Sequence, residues 1–297
     1  MHPSAIWLYL AQFFTRDVLA SLMTADRSTR ALLGERVAAS LEVQYRDLDF
    51  RFLHLEDGTV ERLWKRAVAD RIRVLRIGPY FVCDALAGSR DLSFTDAMQR
   101  VGRLLARFRH IEEYHILWHE RPTMSTVRPV ASNCDQLSDT LGLASAILAV
   151  PFSSTPYIHT LTVELSLDKA EHLFLPTVVL PSLEDFTLCI RDDHVGDLDA
   201  AGYIMVHHLA RFLNNTHRTL RSLSFETSLS SDFSPFFSAL GTFAHLSKLT
   251  LSIPTSDPHL GDPSALKGFL HAQHDTLEQF TLRGFCTRKS RGGMDSR

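Results

Sequence analysis

Ile158-His159-Thr160-Leu161-Thr162-Val163-Glu164-Leu165 is the stretch that decides the fold. From Thr160 onward polar and apolar residues alternate, and Thr and Val suit a pleated, half-buried strand. Its apolar frame, apolar-x-x-apolar-x-apolar, recurs on both sides. Upstream stand Ile72-x-x-Leu75-x-Ile77 and Ile111-x-x-Tyr114-x-Ile116, with a looser copy at Tyr45-x-x-Leu48-x-Phe50. Downstream stand Leu183-x-x-Phe186-x-Leu188, Leu220-x-x-Leu223-x-Phe225, Leu246-x-x-Leu249-x-Leu251 and Leu277-x-x-Phe280-x-Leu282. Self-similarity of this kind predicts a solenoid, in which no unit can bury its apolar face alone and each stacks on its neighbours. Solenoids bind other macromolecules along a long concave surface, so the pattern points away from a small-molecule enzyme.

The frames start at residues 45, 72, 111, 158, 183, 220, 246 and 277, at intervals of 27, 39, 47, 25, 37, 26 and 31. The shortest intervals match the roughly 20–29 residues of a leucine-rich repeat, and the longer ones need inserted loops or longer helices. Helical patterns fill the gaps. Val60, Leu63, Trp64, Ala67 and Val68 form one, and Ala97, Val101, Leu104, Leu105 and Phe108 another, with Thr95 as its N-cap. Leu209, Phe212 and Leu213 make a third face, and Leu266, Phe269 and Leu270 a fourth. The predicted fold class is therefore α/β: a leucine-rich-repeat-like solenoid over residues 41–285 with parallel strands on its concave side. Residues 121–136, with Pro122 and Pro129, read as an inserted loop, and Pro151 to Pro156 as a short turn-rich piece. Residues 286–297 are polar and read as a disordered tail. No capping repeat follows Leu282, which predicts a truncated chain or an absent last unit.

Composition narrows the function without choosing it. The chain has 297 residues, 45% hydrophobic and 22% charged, with a formal net charge of -3. Residues 1–130 hold 19 basic and 16 acidic residues, and residues 131–297 hold 12 and 18. Neither half carries the basic footprint of a nucleic-acid binder. Cys83, Cys134, Cys189 and Cys286 are too far apart for a zinc or redox pair, which predicts reduced thiols in the cytosol or nucleus. Residues 5–14 are apolar but lack a basic flank and a cleavage site, and no run reaches the roughly 18 apolar residues of a membrane span.

Residues 1–40 break the repeat and read as three short helices. Ile6, Trp7, Leu10, Ala11, Phe13 and Phe14 form a broad apolar stripe, Thr15 caps a second helix bearing Val18, Leu19, Leu22 and Met23, and a third runs over about Arg27 to Ala38. Pro3, Ala5-Ile6-Trp7, Leu10-Ala11-Gln12-Phe13-Phe14 and Arg16-Asp17-Val18-Leu19-Ala20-Ser21-Leu22, then Asp26-Arg27, stand in the order found in an F-box. The chain resembles the F-box proteins of basidiomycete fungi, in which the module leads into irregular leucine-rich repeats. Phe212 to Leu223 and Phe236 to Leu251 are similar to the repeats of that group. Two positions depart from the F-box pattern: Met1-His2 replaces the Leu that precedes the leading proline, and Ala5 replaces an acidic residue.

The resemblance implies a non-catalytic, substrate-recruiting subunit of a Skp–cullin–F-box ubiquitin ligase. Pro3, Ile6, Trp7, Leu10, Phe13, Phe14, Leu19 and Leu22 would dock on the Skp-type adaptor of the cullin ligase core, and the solenoid would hold a protein substrate. The alternative is a leucine-rich-repeat scaffold without ligase function, its first helices serving only as a solenoid cap. A third class, a repeat-type regulator of an enzyme, would need an aligned Arg or Asn rim, which this chain lacks.

The chemistry-bearing residues do not assemble into a catalytic pattern. His115 and His119 share a helical spacing in a segment that reads as a strand, His207 and His208 diverge on a helix, and His271 and His274 lack a third ligand. Asp192, Asp193, Asp197 and Asp199 cluster around Gly196 but lack the closing Glu of a calcium loop. No enzyme activity, cofactor, metal, nucleic acid or membrane partner is expected. Partner choice falls instead to the residues between frame positions, which alternation places on the concave side. These are Arg76; Glu113, His115 and Leu117; Thr160, Thr162 and Glu164; Asp185 and Thr187; Ser222, Ser224 and Glu226; Lys248, Thr250 and Ser252; and Gln279, Thr281 and Arg283, with Tyr80 and Trp118 just beyond. The hydroxyls among them read equally well as a contact surface or as residues that suit a strand.

Overall fold

The computed structural model describes residues 47–49, 69–78, 94–117, 146–175, 177–191, 202–229, 231–254 and 261–285. The expected helices of residues 1–40, the pattern from Val60 to Val68, Tyr80, Trp118, His119, Glu120, the loop 121–136, the aspartates from Asp192 to Asp199 and the tail 286–297 lie outside the described residues.

Each of the eight frames produces a strand, and each strand begins two residues after the first apolar residue of its frame. The strands are β1 (Asp47–Asp49), β2 (Val74–Ile77), β3 (Glu113–Leu117), β4 (Thr160–Ser166), β5 (Asp185–Arg191), β6 (Ser222–Thr227), β7 (Lys248–Pro254) and β8 (Gln279–Phe285). They form one open sheet in chain order, and every neighbouring pair is parallel. The register is fixed by the frame: Leu75, Tyr114, Leu161, Phe186, Leu223, Leu249 and Phe280 stand side by side across seven strands. A slip of one residue would turn each of these side chains onto the opposite face, so burial of the frame holds the alignment.

A second ladder precedes the strands. The carbonyl of Arg73 accepts from Glu112 N at 2.7 Å and from Glu113 N at 3.0 Å. The same paired acceptance repeats at Glu112, His159, Glu184, Arg221 and Ser247, each one step further along the sheet. Each unit therefore enters its strand already bonded to the unit before it, which satisfies backbone groups that would otherwise be orphaned at the turn.

The connections carry helices α1 (Phe94–Leu105), α2 (Val150–Ser154), α3 (Leu167–Leu173), a π-helix over Met205–Ala210 that continues into α4 (Arg211–Asn215), α5 (Ser234–Ala239) and α6 (Pro263–Ala272). Two expectations are corrected. Thr95 stands inside α1, which already includes Phe94, so it is not the cap in front of the helix. The segment Pro151 to Pro156 is not all turn. Pro151 stands in the first turn of α2, one residue after Val150, where the fixed φ suits a helix and the missing N–H costs nothing.

The helices cover the frame side of the sheet. The frame residues of β2 to β7 are at most 3% exposed. Tyr114 of β3 meets Phe152 of α2 edge-on at 5.9 Å, and its hydroxyl donates to Leu148 O at 2.9 Å. Burial pushes the Tyr114 phenol well above its ordinary range, so it stays a donor. Further along, Phe186 of β5 packs on Phe212 of α4 at 5.3 Å, and Phe174 touches Phe212 at 4.7 Å. Phe225 of β6 meets Phe236 of α5 at 5.4 Å, and Phe237 of α5 leads to Phe269 of α6 at 6.2 Å. Phenylalanines thus carry contact from unit to unit, and each buried ring contributes roughly 1.5–3 kcal/mol. On β8 the pattern changes: Phe280 is 41% and Leu282 45% exposed. A frame residue is covered by the unit that follows it, and no strand lies beyond β8 among the described residues.

Gly261 sits at φ 52°, just before the Asp262 N-cap of α6. A Cβ there would overlap the Asp232 carboxylate and the Ser234 hydroxyl. Those two groups hold the chain in place, since Ser234 Oγ accepts from Asp262 N at 2.6 Å and donates to Asp232 Oδ1 at 2.7 Å. Gly261→Ala is expected to destabilise the fold by about 1–3 kcal/mol in urea denaturation, whereas Gly268→Ala, in the open on α6, is expected to be neutral or stabilising by up to ~1 kcal/mol.

Candidate interaction surface

The residues between frame positions share the face of the sheet opposite the helices, and strand register arranges them in three rows. The first row is Val74, Glu113, Thr160, Asp185, Ser222, Lys248 and Gln279. The second is Arg76, His115, Thr162, Thr187, Ser224, Thr250 and Thr281. The third is Leu117, Glu164, Cys189, Glu226, Ser252 and Arg283. With strands ~4.8 Å apart, a row of seven positions runs for roughly 29 Å. Of these residues Cys189 is buried, and the rest are half-buried or exposed.

The second row is a hydroxyl stripe over five adjacent strands, from Thr162 to Thr281. Apart from Arg76 at its β2 end, the charge lies in the other two rows. Glu113, Glu164, Asp185 and Glu226 lie over β3 to β6, and Lys248 and Arg283 over β7 and β8. His115 Nε2 approaches Glu113 Oε2 at 3.6 Å. The face is therefore polarised along the sheet, negative in the middle and positive toward β8, which is a basis for choosing among partners by charge.

Sequence reasoning stopped the β5 rung at Thr187, but the strand runs on to Arg191 and brings two more residues to the face. Arg191 bridges its neighbours: Nε donates to Glu164 Oε1 at 3.3 Å and Nη1 to Glu226 Oε1 at 3.0 Å. Cys189 lies between the two carboxylates in register, 8% exposed. Burial first, then the nearby Glu226 and Glu164, push its thiol up to about 12, against the opposing pull of Arg191. The thiol is thus neutral at ordinary pH and unsuited to nucleophilic work. The available signal was the alternation itself, which continues past the frame through Cys189 and Arg191.

A further row lies one residue ahead of the strands, in the column of the carbonyl ladder. Arg73 pairs with Glu112 at 3.3 Å, and Glu184 with Arg221 at 3.4 Å. These pairs lie at the surface, half-buried except for the exposed Arg221, and each contributes about 0–1 kcal/mol. Among the histidines, His271 and His274 stack at 5.3 Å, and His207 packs on Tyr203 at 4.4 Å. No group of three His, Cys, Asp or Glu side chains that could hold a metal occurs among the described residues. No helix among them is long and apolar enough to cross a membrane. No family model matches the chain, and no curated protein matches it.

Proposed function

We propose that this chain is a non-catalytic protein-interaction subunit, the substrate-recognition component of a Skp–cullin–F-box type ubiquitin ligase. In this reading the sheet and its helices form an irregular leucine-rich-repeat solenoid, and residues 1–40 form the F-box. The observation that carries the binding role is a sheet face whose row residues, Cys189 apart, are half-buried or exposed, with three registered rows of side chains and a charge polarity along its length. A helix layer on one side and an open polar face on the other is what a macromolecular partner needs in order to lie across many strands. The ligase role rests on the F-box resemblance of Pro3 to Asp26-Arg27. Docking through Pro3, Ile6, Trp7, Leu10, Phe13, Phe14, Leu19 and Leu22 would bring a bound protein near the ligase's catalytic arm, and the mechanism is proximity: the effective concentration of substrate rises without any chemistry on this chain.

Capture of a purified fungal Skp-type adaptor by the full chain tests this. Wild type is expected to retain the adaptor, and Trp7→Ala with Leu19→Ala to lose it by 100-fold or more, since each buried anchor contributes about 2 kcal/mol or more. No retention by wild type, or equal retention by the double variant, would leave only a scaffold whose first helices are a cap.

A further inference from the structure

The Glu164–Arg191–Glu226 group is one cation short of neutral. Two carboxylates share one guanidinium, and the thiol between them is neutral, so the group has a net charge of −1. Both ion pairs use Oε1, and the Cys189 thiol also bonds the Glu226 carboxylate; a carboxylate has about four acceptor sites, so both glutamates keep capacity for a further donor. Beside them stands an independent sign of a missing partner. Ser166, in register with Arg191 and on the same alternation as Thr160, Thr162 and Glu164, is 6% exposed, and its Oγ has no hydrogen-bond partner. Ser166 is the N-cap residue of α3, yet its side chain makes no cap bond. A buried hydroxyl without a partner is destabilising, a cost that a bound donor removes.

What would satisfy all of these at once is a positively charged hydrogen-bond donor. An anion would meet the two carboxylates, and no three-ligand metal group exists among the described residues. We propose that Glu164, Ser166 and Glu226, arrayed around Arg191, form a pocket on the open face that takes one basic side chain, lysine or arginine, of a protein partner. Asp185 on β5 and Glu113 on the neighbouring β3 add negative charge, while Lys248 and Arg283 lie over β7 and β8, so the field draws a basic side chain toward β4 to β6. The pocket rests on the reading of this face as the partner surface, and it says what the partner must present there.

A displayed library of random dodecamer peptides, selected on the full chain without any adaptor, tests the pocket. Selected peptides are expected to share a lysine or arginine at one position. Replacing it with acetyl-lysine or glutamine should weaken binding about tenfold, and Glu164→Gln with Glu226→Gln on the protein should do the same. Combining the two changes should cost no more than either alone. Arg191→Gln, which makes the group more negative, should tighten the basic peptide instead; the opposite sign separates a charge pocket from a folding defect, and a thermal melt of each variant checks the fold. The pocket is overturned by selected peptides with no shared basic position, by additive losses, or by no selection at all. Because no adaptor is present, any of these results leaves the docking role of residues 1–40 standing, and loss of adaptor capture leaves the pocket standing.

Discussion

Replacing Phe212 by alanine is expected to lower the free energy of unfolding by about 3–5 kcal/mol, the usual cost of deleting a fully buried phenyl ring. Phe212 is the ring on which three segments meet: Phe174 after α3, Phe186 on β5, and α4 itself. All three rings are at most 1% exposed, so there is little room for solvent to fill the space or for surface chain to collapse into it. In a protein whose total stability is in the range of 5–15 kcal/mol, that loss is a large fraction of the whole. Phe212→Leu, which keeps most of the volume, should cost well under half as much. Urea denaturation of the two variants checks both numbers. Equal midpoints for Phe212→Ala and wild type would show that the α4 layer does not hold the sheet.

Gln273→Leu is expected to cost about 2–4 kcal/mol, although leucine is the more hydrophobic residue. Gln273 is fully buried at the end of α6 and reaches back across the layer. Its Oε1 accepts from Phe243 N at 2.9 Å, and its Nε2 donates to Gly241 O at 3.1 Å. Leucine leaves both backbone groups without that partner, and a buried unpaired group costs roughly 1–3 kcal/mol. Phe243 N carries most of the loss, because Phe243 is buried while Gly241 is exposed and can turn to water. Asn214 holds the same loop from the other side, accepting from Gly241 N at 2.8 Å and donating to Ala239 O at 2.9 Å. Gln273→Leu with Asn214→Leu should therefore be non-additive, since each side chain limits how far the loop can move after the other is lost. Thermal melts of the two single variants and the double variant supply the cycle.

The strands were legible because their signal is strong and local. A period of two combined with an obligatory buried face leaves little choice of register, so frame positions from Ile72 to Leu251 appear in the core as expected. Parallel pairing in chain order followed from connections long enough to hold a helix. Boundaries were less legible. Pro151 reads as a breaker in isolation, yet it sits in the first turn of a helix because only the helix interior penalises it. Phe280 and Leu282 have the same frame as the others and remain exposed, because burial depends on a neighbour and not on the residue itself. The open face was legible as a set of rows but not as a site. Arg191 lies 27 residues from Glu164 and 35 from Glu226, and only strand register brings the three together. Ser166 could not be singled out at all, since an unpartnered hydroxyl is a property of its surroundings. Gln273 is similar: it reads as one more polar residue after a helix until the loop of Gly241 and Phe243 is placed beside it.

In the function proposed above, one chain carries two separate binding surfaces, an adaptor-docking module at residues 1–40 and a partner face on the sheet. Hydrogen exchange on the full chain, with and without saturating Skp-type adaptor, tests this most directly. Slowed exchange is expected only in peptides from residues 1–40, with the amides of β4, β5 and β6 unchanged. Slowed exchange across those strands, or none within residues 1–40, would contradict it.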